Sequence, residues 1–425
     1  MDKKQLFCLH EEIREKDFII ATYYMELAKD INVLDKAANM AIGQTVGTWI
    51  PVPGITEEMQ KNHMGKVVNI LDIPPFELLT QTNQEKVSYL IQIAYPTVNF
   101  GAQFPMMLTT LLGNDASTSA QVKLVDLLLP KKFAESFYGP KFGIEGIRNL
   151  VGVHDRPLIL NMIKPCTGFT PEVGAKIFYQ TALGGADFIK DDELLGNPDF
   201  CPAVERVKAY HQAAKAAYEK TGKKTVYIVN ITDVAERLID NAKRVVEAGA
   251  EAIMVNFATV GYGMLHAMAK EVDVPILGHY AGSGMFYEGV LSGMSSPIAI
   301  GKLPRLAGAD IVMINTPYGG YPLKFQKYIQ TVHELTLPYY QLKPVMPAVG
   351  GGVHPGLVEK FIKELGTDII LSPGGAVHGH PMGAAAGVRA MRQAVDAVLE
   401  GIPLDEYAKD KEELRTALQV FGYKR

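Results

Sequence analysis

The sequence predicts an α/β fold: a TIM (β/α)8 barrel preceded by a ferredoxin-like α+β N-terminal domain. Two patterns carry this. From residue 156 onward, eight short apolar segments alternate with helical stretches at intervals of roughly 25–35 residues. Before that, strand and helix signals run β-α-β-β-α-β, the order of a ferredoxin-like layer pair. At 425 residues, 48% of them hydrophobic, the chain is long enough to fill both cores.

Residues 1–16 read as an N-terminal extension with helical character. The α+β domain is expected over 17–140. DFIIATYY (17–24) reads as a strand and INVLDKAANMAI (31–42) as a helix. GKVVNILDI (65–73) and KVSYLIQIAYP (86–96) read as strands, FPMMLTTLLGN (104–114) as a helix and QVKLVDLLLP (121–130) as a strand. The connection at 131–155 marks the boundary and carries a small helix. The barrel is expected over 150–400, with a helical tail at 401–425. Its strands are PLILNMIKP (157–165), ADFIKDD (186–192), TVYIVNIT (225–232), EAIMVNF (251–257), PILGHY (275–280), DIVMINT (310–316), PVMPAVG (344–350) and DIILSPG (368–374). A doubly wound open sheet competes, but near-even repeats favour closure.

A net charge of -4 and a pI near 6.2 give no basic footprint for nucleic acid. No apolar run approaches the 18 residues of a membrane span, and the charged first residues lack the apolar core of a signal peptide. Cys8, Cys166 and Cys201 show no metal spacing, and so sparse a count fits a reducing compartment. The expected location is cytoplasmic.

TIM-barrel sites lie at the C-terminal ends of the strands. Those ends carry Lys164, Lys190-Asp192-Glu193, Asn230, Asn256, His279, Thr316, Gly350-Gly351-Gly352 and Gly374-Gly375. In GGADFIKDDE (184–193), alternation sends Lys190 and Asp192 to one face and Asp191 to the other. Clustered carboxylates suit a hard cation such as Mg2+. A lysine facing a cation must be neutral or converted to an anion, and CO2 added to a neutral amine gives a carbamate, an oxygen ligand. From spacing alone, a Lys–Asp salt bridge at a strand end is the preferred reading. Lys164 is a salt-bridge partner or, with a pKa lowered beside a cation, an acid or base. His279 is structural or substrate-facing. The glycines make tight turns or expose backbone N–H groups to phosphate. His378 and His380 read as structural. GSGMFYEG (282–289) does not match a dinucleotide fingerprint.

The string Gly-Gly-x-Asp-Phe-x-Lys-Asp-Asp-Glu resembles the signature of the RuBisCO large-chain superfamily. The resemblance runs from about residue 17 to 400 and implies that Lys190 is carbamylated and binds Mg2+ with Asp192 and Glu193. It gives Lys164, in IKPCTG, a proton-handling role and sets His279 against substrate. TVGTW (45–49) resembles the family's Thr-Gly-Thr-Trp motif, so Thr48 and Trp49 would reach a phosphate in a partner subunit. LLGN (111–114) matches a motif ending in a metal-side asparagine, Asn114. Gly350, Gly351, Gly374 and Gly375 would hold phosphate. A homodimer with an active site shared between subunits follows.

Departures from the carboxylases narrow the group. Their glutamate falls at Gly43, their second lysine at Cys166, their arginine at Tyr280 and their serine at Gly350. The loop 315–325 has no lysine at the matching place. CO2 fixation is therefore not expected, and the chain resembles RuBisCO-like proteins that enolise, isomerise or decarboxylate phosphorylated keto-sugars. Isomerisation of a ketose such as 5-methylthioribulose 1-phosphate comes first. The alternatives are 2,3-diketo-5-methylthiopentyl-1-phosphate enolase of methionine salvage, a 3-oxo-isoapionate-4-phosphate decarboxylase or transcarboxylase, and a non-catalytic sugar-phosphate-binding regulator. GKLPRLAGAD, PYG and VHPG resemble the enolase branch. A lysine base of that branch, replaced here by Asn114, and Pro165 after the barrel lysine speak against it.

Overall fold

The structure is a computed structural model that describes residues 3–47, 52–75, 77 and 85–423. It divides into two compact units, 1–137 with 283–299, and 138–282 with 300–425.

The first unit carries a four-stranded antiparallel sheet in the order β2-β3-β1-β4. Its strands are β1 (Phe18–Ala28), β2 (Lys66–Ile73), β3 (Lys86–Pro96) and β4 (Lys123–Leu128). This is the ferredoxin-like arrangement that the element order predicts. β1 runs past Tyr24 because β3 pairs with it from Phe18↔Pro96 to Ala28↔Lys86, and Met25 and Leu27 keep the buried alternation. The crossover helix Val33–Gly43 is capped by Asn32, whose Oδ1 accepts from Leu34 N at 3.0 Å. The second helix, Phe104–Leu112, stops two residues early, where Gly113 turns extended. In the N-terminal extension, Leu6 packs with Ala38 and Met64.

One feature of this unit was not expected. Residues 283–299, read as part of the barrel, lie along β4: Leu124 N donates to Gly293 O at 2.9 Å and Ser295 N to Leu124 O at 2.8 Å. Lys123 Nζ reaches the carbonyls of Tyr287 and Gly289 at 2.5 and 2.6 Å.

The second unit is a closed barrel of eight parallel strands. They are β5 (Leu158–Met162), β6 (Phe188–Lys190), β7 (Val226–Asn230), β8 (Ala252–Asn256), β9 (Ile276–His279), β10 (Ile311–Asn315), β11 (Met346–Gly350) and β12 (Ile370–Leu371). Strands buried on both faces read as continuous apolar runs, which is why all eight are visible in the sequence. β6 and β12 are shorter than their apolar runs. Leu160, Phe188, Ile228, Met254, Leu277 and Met313 pack together inside the barrel. Two residues further along each strand, alternation brings Met162, Lys190, Asn230, Asn256, His279 and Asn315 to the same interior at its C-terminal end. Asn315, not Thr316, therefore takes the inward place on β10. The connection before the barrel holds two helices, Lys131–Ala134 and Gly143–Val151. Among the described residues no helix is long and apolar enough to cross a membrane.

The tail helix Glu412–Phe421 docks on Ala384–Leu399 through Glu413, which accepts from Gln393 Nε2 at 2.9 Å and Arg389 Nε at 2.8 Å. The hydrogen bond from Gln393, with the one from Arg389, pulls the Glu413 carboxyl down to about 2. A depressed carboxylate stabilises the fold fully above its ordinary value and loses that contribution as pH falls through its folded value. The stability advantage of the wild type over Glu413→Gln is expected to shrink between pH 4.5 and pH 2. Thermal midpoints across that range test this, and a constant gap would count against it.

Candidate active site

Lys190 ends β6 with its side chain wholly buried, and Nζ donates to Asp191 O at 2.8 Å. Its nearest carboxylate oxygen is Glu193 Oε2 at 3.9 Å. Burial is the largest influence on this amine and lowers its pKa, against the opposing pull of Glu193 and Asp192. Asp192 Oδ2 accepts from Lys164 Nζ at 2.6 Å, and Oδ1 accepts from Leu194 N at 3.1 Å. Lys164 also donates to Cys166 Sγ at 3.1 Å.

Burial acts to lower the Lys164 pKa, but the hydrogen bonds to Asp192 and Cys166 outweigh it, and the net direction is upward. With Asp192 as the immediate neighbour, the ammonium form is favoured; the fall expected from the sequence is for a lysine beside a bound cation.

His279, at the end of β9, presents Nε2 to Glu193 Oε2 at 3.6 Å. Its Nδ1 accepts from Ala281 N at 3.1 Å, so the ring proton sits on Nε2. Burial, then the charges of Lys190 and Lys164, hold its pKa well below the ordinary value, and the ring is neutral at pH 7. Tyr280 stacks on it with centroids 5.1 Å apart.

Two asparagines hold the backbone of the carboxylates. Asn230 Nδ2 donates to the carbonyls of Asp192 and Glu193, both at 3.3 Å, and Asn256 Nδ2 to Glu193 O at 3.0 Å. Thr232 Oγ1 joins them, donating to Asn230 Oδ1 at 2.7 Å and accepting from Asn256 N at 3.0 Å. Sequence reasoning found both asparagines at strand ends but gave them no task. Asp191 points away, as alternation predicts. Its Oδ2 meets Arg206 Nη2 at 3.1 Å, Tyr227 Oη at 2.7 Å and Asn230 N at 2.9 Å. Arg206 was missed altogether, since nothing local distinguishes a buried arginine in the helix Ala203–Thr221 from a solvated one.

Gly350 ends β11, and Gly351 and Gly352 follow with φ of +81° and +82°, a region that favours glycine. Gly319 packs on them, and a Cβ at Gly352 would lie 2.8 Å from Gly319 Cα. A Cβ at Gly374 would meet Met162 Sδ at 2.8 Å and Lys164 Cε at 3.8 Å, while one at Gly375 would meet nothing within 4 Å. Gly374 thus lies directly beside the lysine. Thr316 turns its hydroxyl to Gly351 O at 3.4 Å. Tyr318, bonded to Glu364, pins the same loop to the helix Val358–Leu365, with Lys360 Nζ 4.0 Å above its ring. His378 Nε2 faces Asn161 Oδ1 at 2.9 Å and Met162 O at 3.1 Å.

The structure thus brings Lys164, Lys190, Asp192, Glu193 and His279 together in the second unit. Asn114 belongs to the first unit, where it is exposed and lines a cavity of about 1100 Å³ with Gly43 and Asp115. A Cβ at Gly43 would lie 1.9 Å from Asp115 Oδ2, so the Asp115 carboxylate fills the space that a side chain there would need. Thr48 and Trp49 lie outside the described residues.

Among the described residues no three His, Cys, Asp or Glu side chains form a metal set. The expected set contains two carboxylates, and a carbamate on Lys190 would supply the third oxygen donor. Asp192 and Glu193 supply carboxylate oxygens from consecutive residues, and the buried Lys190 Nζ lies 3.9 Å from Glu193 Oε2, so the donor types are those a hard cation takes.

A carboxylate pair, a buried lysine and a second lysine thus meet at the C-terminal mouth of a TIM barrel. The catalytic domain of the ribulose bisphosphate carboxylase large chain matches residues 143–421, and the N-terminal domain of that large chain matches residues 9–133. The chain belongs to this family and is a RuBisCO-like enzyme. It is 43% identical over 417 residues to a ribulose bisphosphate carboxylase-like protein of Archaeoglobus fulgidus, covering 97% of this chain and 95% of that one. It is 38% identical over 407 residues to a 2,3-diketo-5-methylthiopentyl-1-phosphate enolase of Geobacillus kaustophilus, covering 95% and 98%. A crystal structure of a rubisco-like protein from Alicyclobacillus acidocaldarius superposes with a TM-score of 0.88 at 36% identity, covering 96% of this chain and all of that one.

Proposed function

We propose that the chain catalyses Mg2+-dependent enolisation of a phosphorylated ketone by moving a proton α to the carbonyl. The observation that carries this is the convergence of Lys164, Lys190, Asp192, Glu193 and His279 at one barrel mouth. Among substrates, 2,3-diketo-5-methylthiopentyl 1-phosphate is now favoured by the enolase relative. This reverses the order drawn from the sequence, where ketose isomerisation stood first. Isomerisation of 5-methylthioribulose 1-phosphate remains a second reading, favoured by Asn114, whose amide cannot act as the base that a lysine there would be.

Mg2+ would be held by carbamylated Lys190, Asp192 and Glu193, and when bound supplies positive charge for an oxygen that becomes anionic during enolisation. Lys164 Nζ delivers or receives the proton, with Asp192 fixing its position. The neutral His279 keeps an N–H on Nε2 for an oxygen of the substrate. Asn230 and Asn256 keep the carboxylate turn rigid. The bare backbone at Gly350, Gly351, Gly374 and Gly375 faces the phosphate.

A second copy of the chain is proposed to cover the mouth. Leu194, Phe200 and Val234, on loops that leave the barrel's C-terminal end, are 70%, 52% and 50% exposed, and an apolar rim of this kind suits a protein partner. Sedimentation as a monomer at micromolar concentration would remove this part of the proposal.

The deciding experiment is solvent exchange followed by NMR in D2O with Mg2+ and bicarbonate. The compounds are the diketo phosphate, methylthioribulose 1-phosphate, an oxo-isoapionate phosphate and ribulose bisphosphate. Conversion of the diketo compound supports the first reading and conversion of the ketose the second. Binding without exchange of any compound overturns both in favour of a sugar-phosphate-binding regulator.

A further inference from the structure

We propose that Cys166 is a positioning residue for Lys164: its Sγ and the Asp192 carboxylate hold the lysine Nζ between them. The proposal rests on the reading of Lys164 as the proton-moving group.

The two anchors come from different strands of the barrel. Asp192 follows β6, whereas Cys166 lies in the loop after β5, two residues beyond the lysine it contacts. Nζ is 2.6 Å from Asp192 Oδ2 and 3.1 Å from Cys166 Sγ. The lysine side chain is 33% exposed, so packing alone does not fix it. A four-carbon stem with one anchor at its tip retains rotational freedom about that anchor. A second acceptor in another direction removes that freedom and aims the remaining N–H. Sulfur is a weak acceptor, but a charged donor strengthens the contact.

The neighbouring backbone agrees. Gly374, the residue whose added Cβ would come 3.8 Å from Lys164 Cε, leaves room for the stem to lie in this direction. The other thiols have no comparable place. Cys201 is buried beside Arg206, and Cys8 is pushed up to about 11 by burial and by Glu12. Cys166 is only half-buried, so filling the core does not account for it.

The test compares Cys166→Val, which removes the acceptor, with Cys166→Ser, which restores one. Valine is expected to lower kcat for α-proton exchange by roughly 10- to 100-fold with KM little changed, because a misaimed group affects chemistry more than binding. Serine is expected to recover kcat to within about threefold of wild type. Wild-type kcat in the valine variant, or a serine variant as slow as the valine one, overturns the proposal. Lys164→Met tests the underlying reading separately. If it exchanges protons at the wild-type rate, that reading fails. If it is inactive while Cys166→Val is fully active, only the role of Cys166 fails. Should the valine variant not fold, iodoacetamide on the wild-type enzyme gives the second measurement. Activity should fall in step with carboxamidomethylation of Cys166, followed by peptide mass, and Cys166→Ser should resist. Full modification with full activity overturns the proposal.

Discussion

Lys190→Ala is expected to abolish Mg2+-dependent proton exchange, by on the order of 10³-fold or more. The side chain is wholly buried, and its Nζ lies 3.9 Å from Glu193 Oε2. Alanine removes the third expected ligand beside Asp192 and Glu193 and leaves no amine for CO2 to modify. Wild-type protein should gain thermal stability from Mg2+ only when bicarbonate is present, and the variant should gain none. The thermal readout separates loss of the cation from loss of substrate. Retained turnover in the variant would sink the proposed role of Lys190, whatever the substrate.

The second large effect concerns stability. Arg206→Met is expected to lower unfolding free energy by about 3–5 kcal/mol, the cost of leaving a buried partner charge uncompensated. Asp191 and Arg206 are both fully buried, 3.1 Å apart. Burial opposes the guanidinium charge, but Asp191 outweighs it and keeps Arg206 protonated. Arg206 also donates to Gly196 O at 2.6 Å and Asn230 O at 3.1 Å, so its loss strips donors from these two carbonyls as well. Urea unfolding measures the change, and the double variant with Asp191→Asn should recover part of it because no bare charge remains. A single variant within 1 kcal/mol of wild type would show that water or a neighbour takes over the role, contrary to what burial of a lone carboxylate costs.

The site was readable from sequence to different depths. Lys164, Lys190, Asp192, Glu193 and His279 were found because barrel strands place chemistry at their C-terminal ends, and strand alternation is local. Asn230 and Asn256 were visible as polar strand ends, but their hydrogen bonds to the carbonyls of Asp192 and Glu193 join three strands and leave no local mark. Asn315 was passed over for Thr316 because the apolar run alone does not fix where inward alternation stops. Arg206 takes its partners from the loop after β6 and from β7, and residues 283–299 lie along a strand far away in the chain, neither of which local spacing marks.

What the sequence determined by itself was periodic. Eight apolar strands, the β-α-β-β-α-β order before them and the facing of Lys190 against Asp191 all follow from residue spacing, because backbone geometry repeats every two residues in a strand. Only the tertiary structure decided partners. Lys164 could have met solvent, a cation or a carboxylate; folding put it on Asp192 and Cys166. The direction of its pKa follows from that pairing, since electrostatic energy depends on distance and burial, neither of which a linear sequence contains.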